Sequence, residues 1–185
     1  MEAAIDELPD DQFTVNIRWH PFFLGGTSSL AQYPNGKPKN SVGSGNVSAR
    51  LKAAGSNVGI DFTGLTDRYP NSVLAHSLLS YVLDKDGALI QNKLSEVVFK
   101  HYFTEGKYPD QTNLLEAAFE AGVTDPATAL SSAADLSRQA GVIKEAESYS
   151  DGGISGVPYF VINGTPCGSG AMPASTFKNL LQSAS

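Results

Sequence analysis

Cysteine is almost absent from this chain: Cys167 stands alone among 185 residues. A lone thiol forms no internal disulfide, so packing alone must hold the fold, and a reducing, cytosolic setting is the expectation. Long apolar runs are missing as well. Nothing approaches the roughly 18 residues a membrane span needs, so a membrane partner is not expected. Positive charge is scarce. Thirteen Lys and Arg stand against nineteen Asp and Glu, which leaves a net charge of −6 and a pI of about 4.9. Such a surface repels phosphate backbones and argues against nucleic acid. The three histidines, His20, His76 and His101, share no i,i+3 or i,i+4 spacing and have no cysteine cluster beside them. That argues against a metal site.

Phosphate loops, dinucleotide fingerprints and Gly-x-Ser-x-Gly elbows are missing too. Asp84, Asp86 and Gly87 imitate part of a calcium loop. Its first and last ligand positions would be Val82 and Lys93, which carry no carboxylate. Met1–Leu8 has neither the basic start nor the apolar core of a secretory signal. Without one, Asn46-Val47-Ser48 and Asn163-Gly164-Thr165 read as chance sequons.

What is present reads as one α/β domain. Ala4, Ile5 and Leu8 share a face of a short helix that Pro9-Asp10-Asp11 stops. Phe13, Val15, Ile17 and Trp19 alternate with polar residues, which predicts a half-buried strand. Residues 25–46 are rich in Gly, Ser, Asn and Pro and read as a long loop. Helices are expected over 47–54, ended by Gly55, then 71–83, 89–103, 110–121, 126–133 and 136–148. Apolar spacing at Leu74, Leu78, Leu79 and Val82, and at Ile90, Leu94, Val97 and Val98, carries two of them. His76 lies on the first of these faces and reads as a packed histidine. Strands follow at 159–162 and 165–169, then a helix at 175–182. Strand material at both ends with helices between suggests a single domain over 1–185, with a helical insertion at 47–150.

Two residues draw chemical attention. Cys167 falls in a turn or short strand, away from the helix N-terminus that would activate a thiol, and reads as structural. Pro158 opens a strand, one of the few places a sheet accepts proline. One reading is an edge-strand proline or a tight turn; the functional reading is a cis bond at Pro158 that exposes the N–H and C=O of Val157, with Gly156 beside it, to an extended ligand as an added strand.

Four stretches carry a family likeness. Trp19-His20-Pro21-Phe22-Phe23-Leu24, Asn71-Ser72 with Ala75-His76 and Leu78, and Phe99 with Tyr102-Phe103 and Glu105-Gly106 are three of them. The fourth runs Gly153-Ile154-Ser155-Gly156-Val157-Pro158-Tyr159-Phe160-Val161-Ile162 and continues at Ser169-Gly170-Ala171-Met172-Pro173. Together they resemble DsbA-like thioredoxin domains of the FrnE type. The resemblance implies a thioredoxin-like fold with a large inserted all-helical subdomain. It implies thiol–disulfide oxidoreductase or chaperone-like activity on thiol- or disulfide-containing peptides or small molecules. Related branches use glutathione, as isomerases or kappa-class transferases. By position, Pro158 matches the family's cis-proline and Val157 the residue before it.

One departure is large. The family's first strand and its Cys-x-x-Cys have no counterpart here, and Met1-Glu2-Ala3-Ala4 looks like the later part of the helix that the pair opens. The expectation is an N-terminally truncated member, inert in redox chemistry as given, with no catalytic residue of its own. A non-redox peptide-binding module and glutathione-dependent chemistry are the alternatives.

Overall fold

A computed structural model describes residues 1–9 and 12–184. Asp10 and Asp11, where the first helix is expected to stop, lie outside the described residues. Nine α-helices and four strands are assigned among those described. None of the helices is long and apolar enough to cross a membrane. Contacts group the chain into two compact units, Ile17–Glu147 and Met1–Asn16 with Ser148–Ser185.

The larger unit is built on α4 (Val73–Asp86), α5 (Ala88–Phe103), α6 (Gln111–Ala121) and α7 (Pro126–Ala133). The starts of α6 and α7 follow from side-chain caps. Asp110 accepts from the Asn113 N–H at 2.9 Å, and Asp125 from the Thr128 N–H at 3.1 Å. Each cap satisfies a donor that the first helical turn leaves without a partner. Pro126 sits in the first turn, where its missing N–H costs nothing. Leu78, Val82, Leu94 and Leu114 are fully buried where α4, α5 and α6 meet. Small residues at Ala117, Ala118, Ala121, Ala129 and Ala133 let α6 and α7 approach closely. A second cluster joins Phe23 and Val73 to Val142 and Ala146 of α8 (Leu136–Asp151).

The region expected to be a loop is partly ordered. It holds α2 (Ser28–Gln32) and β1 (Lys37–Pro38), which pairs antiparallel with β2 (Arg68–Tyr69). Cations lie over aromatic rings there. Lys39 Nζ sits 5.2 and 5.3 Å from the Tyr69 and Tyr102 centroids and donates to Thr66 Oγ1 at 2.6 Å. A two-residue bridge leaves no periodicity to read, which is why composition pointed to loop.

α3 (Ala49–Ser56) starts later than expected, from the Ser48 cap, and Gly55 lies inside it. Gly55 is required by crowding. A Cβ there would meet the Ile60 carbonyl at 2.5 Å and the Phe62 ring at 2.6 Å.

Residues 13–19 correct a second expectation. Their side chains alternate between half-buried and exposed, as a strand's do, but they join no strand ladder among the described residues. Within the larger unit, a side chain stands in for the missing neighbour. Gln91, fully buried on α5, accepts from the Trp19 N–H at 2.8 Å and donates to the Trp19 carbonyl at 2.8 Å. The primary amide reproduces the reciprocal pair of hydrogen bonds that an adjacent strand would make. The Trp19 indole Nε1–H donates to Asn92 Oδ1 at 2.7 Å.

In the smaller unit, α1 (Glu2–Ile5) packs on α9 (Ala174–Ser183). Ala4 and Leu8 are buried, and Lys178 reaches Glu7 at 3.0 Å. β3 (Tyr159–Ile162) and β4 (Thr165–Ser169) form an antiparallel hairpin with the ends expected from sequence. Asn163 and Gly164 close it, both with positive φ, at +49° and +79°. That is the backbone a tight two-residue hairpin loop requires. Phe160 packs edge-on against Phe177 of α9, with centroids 4.9 Å apart.

Candidate functional site

The hairpin of the smaller unit positions the residues that the sequence singles out. The Val157–Pro158 peptide bond is cis. Pro158 leads directly into β3, and its carbonyl accepts from the Gly170 N–H at 2.8 Å, just beyond the end of β4. That bond continues the ladder by one step beyond Tyr159↔Ser169 and ties residue 158 to the hairpin. Val157 lies one residue outside it, 46% exposed. Among the described residues, its N–H and C=O enter no hydrogen bond. Gly156 is half-buried, with nothing within 4 Å of where a Cβ would stand. The three residues form a bend that leads into β3 and leaves the Val157 backbone groups open beside an ordered strand.

Cys167 is placed elsewhere on the same hairpin. The register shifts between Phe160 and Val161, so that Phe160 faces Gly168 and Val161 faces Pro166. Cys167 is therefore the extra residue of a β-bulge. Its thiol donates to the Thr165 carbonyl at 3.1 Å, and the residue is half-buried. It stands three positions from Gly170, roughly 10 Å along a strand. No helix N-terminus lies at its backbone, so the element that lowers a catalytic thiol's pKa is missing from its position.

The histidines of the larger unit fall into packed or ion-paired places. His76 stands edge-on to Phe23 at 5.3 Å. Burial pushes its imidazole down to about 4, against a hydrogen bond with the Phe22 backbone and the charge of Glu145. His101 is buried, with Nε2 2.9 Å from Glu120 Oε2. His101 and Lys100 hold the Glu120 carboxyl below the usual carboxylate range, and Lys107 and Lys100 do the same for Glu105. This network ties α5 to α6 by charge. His20 Nδ1 lies 2.8 Å from Glu145 Oε1. Among the described residues, no group of three or more His, Cys, Asp and Glu converges in a way that could hold a metal ion.

Sequence reasoning missed two polar side chains that matter here. Gln91 carried no signal, because a glutamine on an apolar helix face has no motif. Asn163 carried one, as the first residue of an Asn-Gly turn, but its side chain also reaches out: Nδ2 donates to the Ala184 carbonyl at 2.8 Å.

No curated protein sequence matches the chain significantly. A family model described as DSBA-like thioredoxin domain matches residues 2–182.

Proposed function

The chain belongs to the DSBA-like thioredoxin domain family, and from that premise we propose that it binds extended peptides at residues 156–158 and performs no dithiol–disulfide exchange as given. The family is one of thiol–disulfide oxidoreductases. Exchange in such enzymes needs a thiolate to attack a disulfide and a second thiol to resolve the mixed disulfide. This chain supplies one cysteine, in a β-bulge, and no Cys-x-x-Cys. The observation that carries the proposal is the state of Val157: exposed, hydrogen-bonded to nothing among the described residues, and adjacent to a strand that is itself held by β4 and α9. A peptide laid alongside would gain backbone hydrogen bonds without first breaking any. We place this activity in a reducing compartment, a setting supported by a cysteine count that permits no internal disulfide.

Two experiments test the proposal. In an insulin-reduction assay, the 185-residue chain should match both its Cys167→Ser variant and the protein-free background. A cysteine-dependent rate above background contradicts the redox half. In calorimetry, an extended cysteine-containing peptide should bind, and its backbone N-methylated counterpart should not. Equal heats from the two would show that any binding is not backbone pairing, and the absence of heat from either would remove the binding half.

Glutathione is a small member of the same ligand class, an extended tripeptide with a thiol. By linkage, a site that binds it should raise the melting temperature at ligand concentrations above Kd. A melting curve unchanged by millimolar glutathione excludes it as the ligand.

A further inference from the structure

We propose that Asn163 is a self-modification site: its side-chain amide converts to a carboxylate through attack by the Gly164 backbone nitrogen. Two Asn-Gly pairs occur in the chain, Asn35-Gly36 and Asn163-Gly164, and the structure separates them. The chemistry needs a following residue without a side chain and a free backbone N–H. The Gly164 nitrogen bonds to Asn163 Cγ, and the Cγ–Nδ2 bond breaks. Nδ2 leaves as ammonia, carrying away the proton that Gly164 gives up. Water then adds to either carbonyl of the five-membered imide and reopens it as aspartate or isoaspartate. No oxidant, reductant or other co-reactant enters.

Gly164 meets these needs. It lies at an exposed hairpin tip, nothing stands within 4 Å of a Cβ placed on it, and its N–H enters no hydrogen bond among the described residues. Gly36 does not. Its N–H donates to the Tyr33 carbonyl at 3.0 Å, and a Cβ there would meet the Tyr69 carbonyl at 2.5 Å and the Tyr108 hydroxyl at 2.6 Å. The Asn35 reaction must break that hydrogen bond and open that contact, whereas the Asn163 reaction needs only the release of its exposed amide from Ala184.

The product acts on the smaller unit. In the amide form, Asn163 Nδ2 donates to the carbonyl of Ala184, at the C-terminal cap of α9. A carboxylate cannot donate. It would place negative charge against a carbonyl at the negative end of a helix, where anions are unfavourable. Isoaspartate would also lengthen the backbone of a two-residue loop whose ends are fixed by the Ile162↔Thr165 pair. The same hairpin carries Pro158 at its other end, so conversion would loosen the strand that leads out of the proposed peptide site.

The experiment is a time course of the full chain in mildly alkaline buffer, with each Asn-Gly peptide followed by mass spectrometry. In the folded chain, Asn163 should convert severalfold faster than Asn35, because each reaction breaks one hydrogen bond but the Asn35 reaction must also open the contact of Gly36 with Tyr69 and Tyr108. In denaturing urea, the two rates should become equal. Asn35 converting as fast as Asn163 in the folded chain would overturn the proposal. So would an Asn163 that stays intact in the folded chain while the urea sample converts. An Asn163→Asp variant should melt below the parent protein, and an unchanged melting temperature would overturn the coupling to α9.

Discussion

At the scale of single residues, buried polar groups set the sharpest expectations. His76 has a folded-state pKa of about 4 against an ordinary value of 6.5. The neutral ring is favoured in the fold, so its contribution is complete above pH 6.5 and is lost as pH falls toward 4. The shift corresponds to about 3 kcal/mol across that window. Chemical denaturation at stepped pH should show that slope, and a His76→Gln variant should flatten it. Gln91 makes the second case. Replacing it with leucine strands the Trp19 N–H and C=O, each worth about 1–3 kcal/mol when left without a partner. Gln91→Leu should therefore lower stability more than Asn92→Ala, which frees one half-buried indole N–H. Equal losses in urea melts would contradict the strand-substitute role of Gln91.

The elements show what a sequence discloses. α4 and α5 were legible through apolar residues at helical spacing, and α6 and α7 through Asp110 and Asp125, which stand where a first turn needs an acceptor. The β3–β4 hairpin was legible because Asn163-Gly164 divides two short runs at a turn of known geometry. Residues 13–19 were only half legible. Alternation reports which side chains are covered, not whether a neighbouring backbone lies alongside. The ladder is a long-range property, and Gln91, which satisfies Trp19, lies 72 positions away. Gly55 was misread for a related reason: a glycine that ends a helix and one that admits a neighbouring ring look alike in sequence. Residues 156–158 stood out through a proline opening a strand, but the freedom of the Val157 backbone groups was visible only in the structure. The same reasoning predicts exchange behaviour. Backbone amides of Thr14–Arg18 enter no hydrogen bond among the described residues. They should exchange at rates close to those of an unfolded chain, while amides of α4 and α5 near Leu78 and Leu94 exchange slowest. Strong protection across 14–18 in the free protein would reveal a pairing that the structure does not contain.

For the whole molecule, the account separates two functions that the family joins. In the function proposed, peptide alignment belongs to a backbone stretch beside a strand and needs no thiol. Electron transfer belongs to a cysteine pair that this chain does not hold. Lone Cys167 does not bridge the gap, since it is a bulge residue roughly three strand positions from the ladder step at Pro158. The two larger cores, around Leu78 and around Val142, place no demand on redox state. Stability should therefore be the same in oxidising and reducing buffer, as read by thermal melts. The measurement that tests the central claim most directly is amide exchange at Val157 with and without an extended cysteine-containing peptide, followed by intact mass. The account predicts that the peptide protects the Val157 N–H and that no mixed disulfide forms. An unprotected Val157 at saturating peptide, or a peptide disulfide-linked to the chain as its productive state, would contradict it.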